Sequence, residues 1–227
     1  MTGLTEKAGG GPPAAGRDAE EAHQRWEASM LRQLEALRAE VRAQTPETLA
    51  DRCGACSHAG CLSFNYWSRP VSITWPALEA EWTTEGTPCS IFDCAMFLYY
   101  LRTADGAPMA DRWIGFRDLP AGSFYNQAFQ GYSGDLLARA FGAEPEAFDG
   151  AASTLAGLRL PALALHAFAF QPLPRIRLAA VLWPGDDEFP SRASVLFDAA
   201  ASHYMTTDGL ALLGSGLTGR MEKARRA

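Results

Sequence analysis

Lysine is almost missing from the 227 residues: only Lys7 and Lys223 occur, and arginine supplies the other eighteen of the twenty basic side chains. That bias reads as genomic base composition and carries no functional weight. Acidic groups outnumber basic ones, 26 to 20, and the net charge of −6 argues against broad electrostatic capture of nucleic acid or an anionic membrane. No apolar run approaches the ~18 residues of a membrane span. The opening MTGLTEKAGGGPPAAG has no apolar signal core and is not rich in Arg or Ser, so a cytoplasmic location is expected. The five cysteines (Cys53, Cys56, Cys61, Cys89 and Cys94) are an odd number, which speaks against a disulfide framework. No G-x-S-x-G, H-E-x-x-H, phosphate-binding loop or dinucleotide fingerprint is present.

The remainder is ordinary globular material, 48% hydrophobic and 20% charged. Residues 1–16 are rich in Gly, Pro and Ala and carry too little apolar surface to offset the entropy of ordering, so a disordered tail is expected. Asp18 and Glu21 resemble a capping box, and Trp26, Met30, Leu34, Leu37 and Val41 follow at helical spacing. An amphipathic helix over 17–45 is predicted. It packs on its own domain or docks a protein partner through residues 18–43. A single domain over 46–227 then begins with a short helix from Thr45-Pro46 to Gly54.

Leu62, Phe64 and Tyr66, then Val71, Ile73 and Trp75, alternate with polar positions, the pattern of a β-hairpin with one buried face. Thr87-Pro88 opens a helix ending at Asp105-Gly106, with Ile91, Cys94, Ala95, Leu98 and Leu101 on its core side. Residues 111–142 read as a short extended piece and one or two helices, and Pro145 to Ala156 as another. Ala162–Phe170, Ile176–Trp183 and Ala193–Phe197 read as three strands, with a helix again from Thr207. The fold class is α+β, an antiparallel sheet covered by helices.

The residues Trp113, Phe116, Arg117, Leu119, Pro120 and Gly122, then Trp183, Gly185, Asp186, Glu188, Phe189 and Pro190, then Leu196, Phe197 and Asp198, form three linked motifs. Together they resemble the prokaryotic family catalogued as domain of unknown function 3786, over roughly residues 47–215. The resemblance implies a family found often in anaerobic bacteria and archaea, with no established activity. A shorter segment, RCGACSHAGCLSFN, is similar to the opening of the four-iron cluster motif of corrinoid iron–sulfur proteins. Ser57 stands where that motif has glycine, and Cys89 lies further on than its fourth cysteine.

Thiolates hold iron–sulfur clusters or zinc when four donors converge from close turns. Cys53 at a helix end, Cys56 and Cys61 in the following loop, and Cys89 at a helix N-terminus are the candidate metal ligands. Gly54 and Gly60 would permit the turns, and His58 would substitute if the metal were zinc. Cys94, about 140° around the helix from Cys89, is expected to be a buried small hydrophobe. A 4Fe-4S cluster, zinc, a redox-active thiol pair and plain reduced packing residues all remain open at this level.

Asp186, Asp187 and Glu188 crowd one turn, with Trp183 before it and Asp198 beyond the next strand. These five are candidate binding residues. The carboxylates could hold a divalent cation or do acid–base work, or be a solvated tip pairing with Arg175 or Arg177. His166 reads as a core histidine, His203 sits beside Tyr204, and His23 lies on the exposed side of the first helix. The leading expectation is an accessory or binding protein with a cysteine-held centre, linked to electron transfer or corrinoid-dependent one-carbon metabolism. The alternatives are an enzyme using the acidic turn and a structural subunit recruited by its first helix.

Overall fold

Thr45 accepts a hydrogen bond from the Thr48 amide, and Pro46 follows at the first helical position, so a helix must begin there. In the computed structural model, which describes residues 34–226, this helix is α2 (Pro46–Cys53). It follows α1, whose described part spans 34–42. Gly54 ends α2 in the left-handed conformation, φ +69°. A Cβ there would also lie 3.1 Å from Arg175 Nε and 3.3 Å from Pro174 Cβ, so a tight approach adds to the φ in favouring glycine.

Two five-stranded antiparallel sheets follow where the sequence led us to expect one hairpin and three strands. The first contains β1 (Cys56–His58), β2 (Cys61–Tyr66), β3 (Arg69–Thr74), β4 (Ala80–Trp82) and β5 (Thr87–Pro88), side by side in chain order. Leu62, Phe64, Tyr66, Val71, Ile73, Ala80 and Trp82 fill its inner face. Against them packs α3 (Ile91–Thr103), where Phe97 meets Phe64, Tyr66 and Trp82 edge-on.

The second sheet has the order β6-β10-β9-β8-β7: β6 (Trp113–Gly115), β7 (Leu158–Arg159), β8 (His166–Leu173), β9 (Ile176–Trp183) and β10 (Arg192–Asp198). Its inner face, with Phe168, Phe170, Leu178, Ala180, Val195 and Phe197, belongs to the same apolar core as the first sheet. Packed in this half are α4 (Gly122–Tyr132), α5 (Gly134–Phe141), α6 (Pro145–Thr154) and α7 (Thr207–Arg225). The α+β reading therefore holds, with a second sheet added.

Several boundaries move, each for a local reason. Thr87 and Pro88 pair with Trp82 and Glu81 as a strand, and Ser90, which accepts from the Asp93 amide, begins α3 instead. Ala162 to Leu165 lies outside the strand that starts at His166. Leu34, Leu37 and Val41 are buried in the chain's own core, so that part of the predicted stripe packs at home. The capping box at Asp18, together with His23, Trp26 and Met30, lies outside the described residues.

The two sheets are stitched by a buried tyrosine. Tyr100, in α3, donates its hydroxyl proton to the Cys53 carbonyl at 2.5 Å and accepts from the Arg175 amide at 3.0 Å. Burial pushes the Tyr100 pKa well above the usual phenol range, so the hydroxyl stays protonated as this donor. Tyr100→Phe leaves both backbone groups without that partner, and unfolding in urea should show a loss of about 2 kcal/mol. An unchanged midpoint and slope would show that the bridge contributes nothing.

Candidate functional site

The sheet register separates the four cysteines proposed as metal ligands. Cys53 is fully buried at the end of α2, and burial pushes its thiol up to about 11. Cys56 and Cys61 lie on the β1–β2 ribbon, opposite Ser63 and His58. Cys89 follows β5 and donates its amide to Ala80 in β4. Between Cys61 and Cys89 there are three inter-strand steps, about 14 Å. A four-sulfur centre needs all its donors within bonding distance of one point, so this set does not fit a 4Fe-4S cluster or tetrahedral zinc. His58, on exposed β1, belongs to no alternative set, and among the described residues no three His, Cys, Asp or Glu side chains group to hold a metal ion.

Cys89 pairs instead with Cys94, which the expected helix geometry had kept apart. Because Ser90 caps α3, Cys89 sits one residue before the cap and Cys94 at the fourth helical position, the two sites of a hydrophobic staple. Cys94 Sγ lies 3.8 Å from the Cys89 carbonyl oxygen, and both thiols pack against the core. Burial and the neighbouring Cys94 and Asp93 raise Cys89 to about 12, which leaves no thiolate at neutral pH.

The acidic residues also part company. Asp186 accepts from the Glu188 and Phe189 amides and closes the β9–β10 turn, where Asp187 and Glu188 are exposed. Trp183, 38% exposed, lines a separate groove with Asp135, Ser191 and Arg192. Asp198 lies at the far end of β10, about 20 Å of strand away, so no four-carboxylate site forms. It is 1% exposed and accepts from the Ala110, Asp111 and Ala200 amides and from Arg177, which also pairs with Asp111. The pairing expected for Arg177 therefore forms, but with Asp198 rather than with the turn. Burial alone would raise the Asp198 carboxyl; the Ala200 and Ala110 amides and the Arg177 guanidinium outweigh it and hold it below its usual range. His166 is satisfied by Asp149 at 2.9 Å, and His203 meets Asp105 at 2.6 Å on the surface.

What the fold does assemble is a cleft of about 480 Å³ where the first sheet's β2–β3 turn meets the edge of the second sheet. Its walls are Trp67 and Ser68 from that turn, the end of α6 at 154–156, Leu158 and Phe170 from β7 and β8, Arg177 from β9 and Arg220 from α7. The Trp67 amide donates to the Pro172 carbonyl at a break in β8–β9 register between Phe170 and Leu173, fixing the turn against the second sheet. The Arg220 guanidinium lies over the Trp67 indole, 4.3 Å from its centroid, and donates to the Gly216 carbonyl. Burial lowers the Arg220 pKa, and no carboxylate pairs with it among the described residues. The lining carries no carboxylate, imidazole or thiol; it offers guanidinium and hydroxyl donors beside aromatic and aliphatic walls.

Trp67 and Ser68 both have positive φ, +49° and +64°, in a two-residue turn that favours Asn-Gly. Holding non-glycine residues there costs roughly 1–3 kcal/mol each, and the result is an indole set beneath Arg220. Neither Trp67, next to the alternating Leu62, Phe64 and Tyr66, nor Arg220, within the helix from Thr207, belongs to a sequence pattern that marks a site. The one signal available was a bulky aromatic in a hairpin turn.

The motif residues that carried the family resemblance are mostly structural. Phe116 stacks on Phe129 at 4.1 Å, and a Cβ on Gly122 would lie 2.0 Å from the Phe116 carbonyl oxygen. Gly185 has no room for a side chain against Ser191 and Phe189.

Two substitutions check these assignments. Ser68→Gly relieves a left-handed serine and should raise the melting temperature by about 2–4 °C; a fall would mean that the turn is not strained. Asp198→Asn should cost about 3 kcal/mol at pH 7 by leaving Arg177 short of a buried partner. The Asp198 pKa is depressed in the fold, so its contribution is complete above the ordinary carboxyl value of 3.8 and fades as pH falls through the lower folded value. The gap between variant and parent in urea should therefore narrow at pH 3. A gap constant from pH 7 to pH 3 would contradict the ion pair's role.

Comparison with known proteins places this geometry in a family. No curated protein and no solved structure matches the chain. A family model described as "Domain of unknown function (DUF3786)" matches residues 45–220, which takes in both sheets and every wall of the cleft. The chain belongs to the DUF3786 family.

Proposed function

We propose that this protein is an accessory binding protein whose cleft between the two sheets takes a small anionic ligand. The observation that carries the reading is Arg220: a half-buried guanidinium stacked on an indole, with no carboxylate partner among the described residues. Water solvates such a group poorly, so an anion arriving in the cleft gains a charge-assisted hydrogen bond without first displacing a protein carboxylate. Arg177 adds a second guanidinium, and its buried Nε has no hydrogen-bond partner. The volume falls within the range of small-molecule sites, and the apolar walls suit a ligand with a hydrophobic body. This keeps the accessory-binding role expected from sequence and moves it from the cysteines to the cleft.

The test uses 8-anilinonaphthalene-1-sulfonate, an aromatic anion that fluoresces when taken out of water. One equivalent should bind to the folded full chain. Arg220→Gln should weaken binding by about 10- to 100-fold, the worth of one charge-assisted contact, and Trp67→Leu, which removes the ring beneath the guanidinium, should weaken it as well. Equal binding by the parent and both variants, with melting curves showing all three folded, would overturn the proposal.

A further inference from the structure

We infer that the ligand of this cleft is a singly charged carboxylic acid with an apolar body, rather than a phosphate ester. This rests on the anion-binding reading and narrows it. Two observations limit the charge to one, and a third bears on how the carboxylate is met.

First, the two guanidinium groups are not equivalent. Arg177 is held by Asp111 and Asp198 together, so that group of three is already net negative. Arg220 is the one arginine of the lining without a carboxylate salt bridge among the described residues, Asp93 acting on it only at longer range, and it leaves at most a single positive charge for a ligand. Second, the helix end that walls the cleft is the wrong one for phosphate. α6 presents its C-terminal turn at 154–156, where the helix dipole is negative, whereas phosphate sites use helix N-termini. A second negative charge on the ligand would meet this end and the Asp111–Asp198 pair.

Third, a glycine keeps the space beside Arg220 open. Gly216 lies one helical turn before it in α7, and a Cβ there would stand 3.1 Å from Arg220 Nη1 and 4.0 Å from the Trp67 ring. The bare backbone leaves room for the guanidinium over the indole, and the N–H groups not used on the Gly216 carbonyl can meet a carboxylate. Leu158, Ala169 and Phe170 supply the apolar walls for the ligand's body.

The experiment is calorimetric titration of the full chain with four probes: indole-3-acetate, its neutral amide indole-3-acetamide, phenyl phosphate and adenosine monophosphate. Indole-3-acetate should bind at least tenfold more tightly than the amide and than either phosphate. Arg220→Gln should erase the preference for acid over amide, which a merely structural arginine would not do. Gly216→Ala provides a variant that folds, since alanine favours a helix interior. It should raise the melting temperature and weaken indole-3-acetate by crowding Arg220. Tighter, Arg220-dependent binding of either phosphate would overturn the single-charge inference and leave the anion-binding reading standing. Acid and amide binding equally, or neither acid nor phosphates binding, would overturn both.

Discussion

The Tyr100 hydroxyl is the point on which this architecture turns. It joins the last carbonyl of α2 to the first amide of the β8–β9 turn, and so fixes the first sheet and its helix against the second sheet. Each sheet alone would leave an apolar face bare, and a single core running through both buries those faces together. A hydrogen bond at such a seam matters because both backbone partners would otherwise be buried and unsatisfied. Gly54 belongs to the same seam: its left-handed φ and the close approach of Pro174 and Arg175 both favour a residue without a side chain there.

The cleft is a consequence of that joint. Once the sheets are locked, the β2–β3 turn reaches the irregular end of β8, and the Trp67 amide closes on Pro172. The turn takes left-handed backbone angles that neither Trp67 nor Ser68 favours, and the rest of the core sustains them. Strain of this kind at the wall of a cavity, beneath a guanidinium without a carboxylate, fits a site kept for a ligand. Nearby, Asp198 and Arg177 form an ion pair that organises the 107–112 segment and takes up the Arg177 charge, which leaves Arg220 as the available one.

The four cysteines expected to share one metal are kept apart by where the fold puts each of them. Three cysteines within nine positions look close on paper, and glycines at 54 and 60 look like hinges that could gather them. In the fold Gly54 is a helix cap, Cys53 faces the core, and three strand steps separate Cys61 from Cys89. Cys89 and Cys94 did come together, through a staple visible only once Ser90 was known to cap the helix. The acidic turn misled in a similar way: Asp198 stands twelve residues after Asp186, but an extended strand carries it to the opposite end of the sheet.

Local patterning by itself determined a good deal. Alternation at 62–66, the proline-led starts of α2 and α6, the three long strands and the α+β class all follow from side-chain period and capping, which act over a few residues. The buried roles of Phe116, Gly122 and Gly185 were marked by motif but not explained by it. What only the tertiary structure decided was adjacency between distant segments: a hairpin turn at 67–68, a helix end at 154–156, strands at 158–177 and an arginine at 220. None of these carries a local sign of the others, because a cleft at a sheet junction depends on how two cores are joined and not on the order of residues within either.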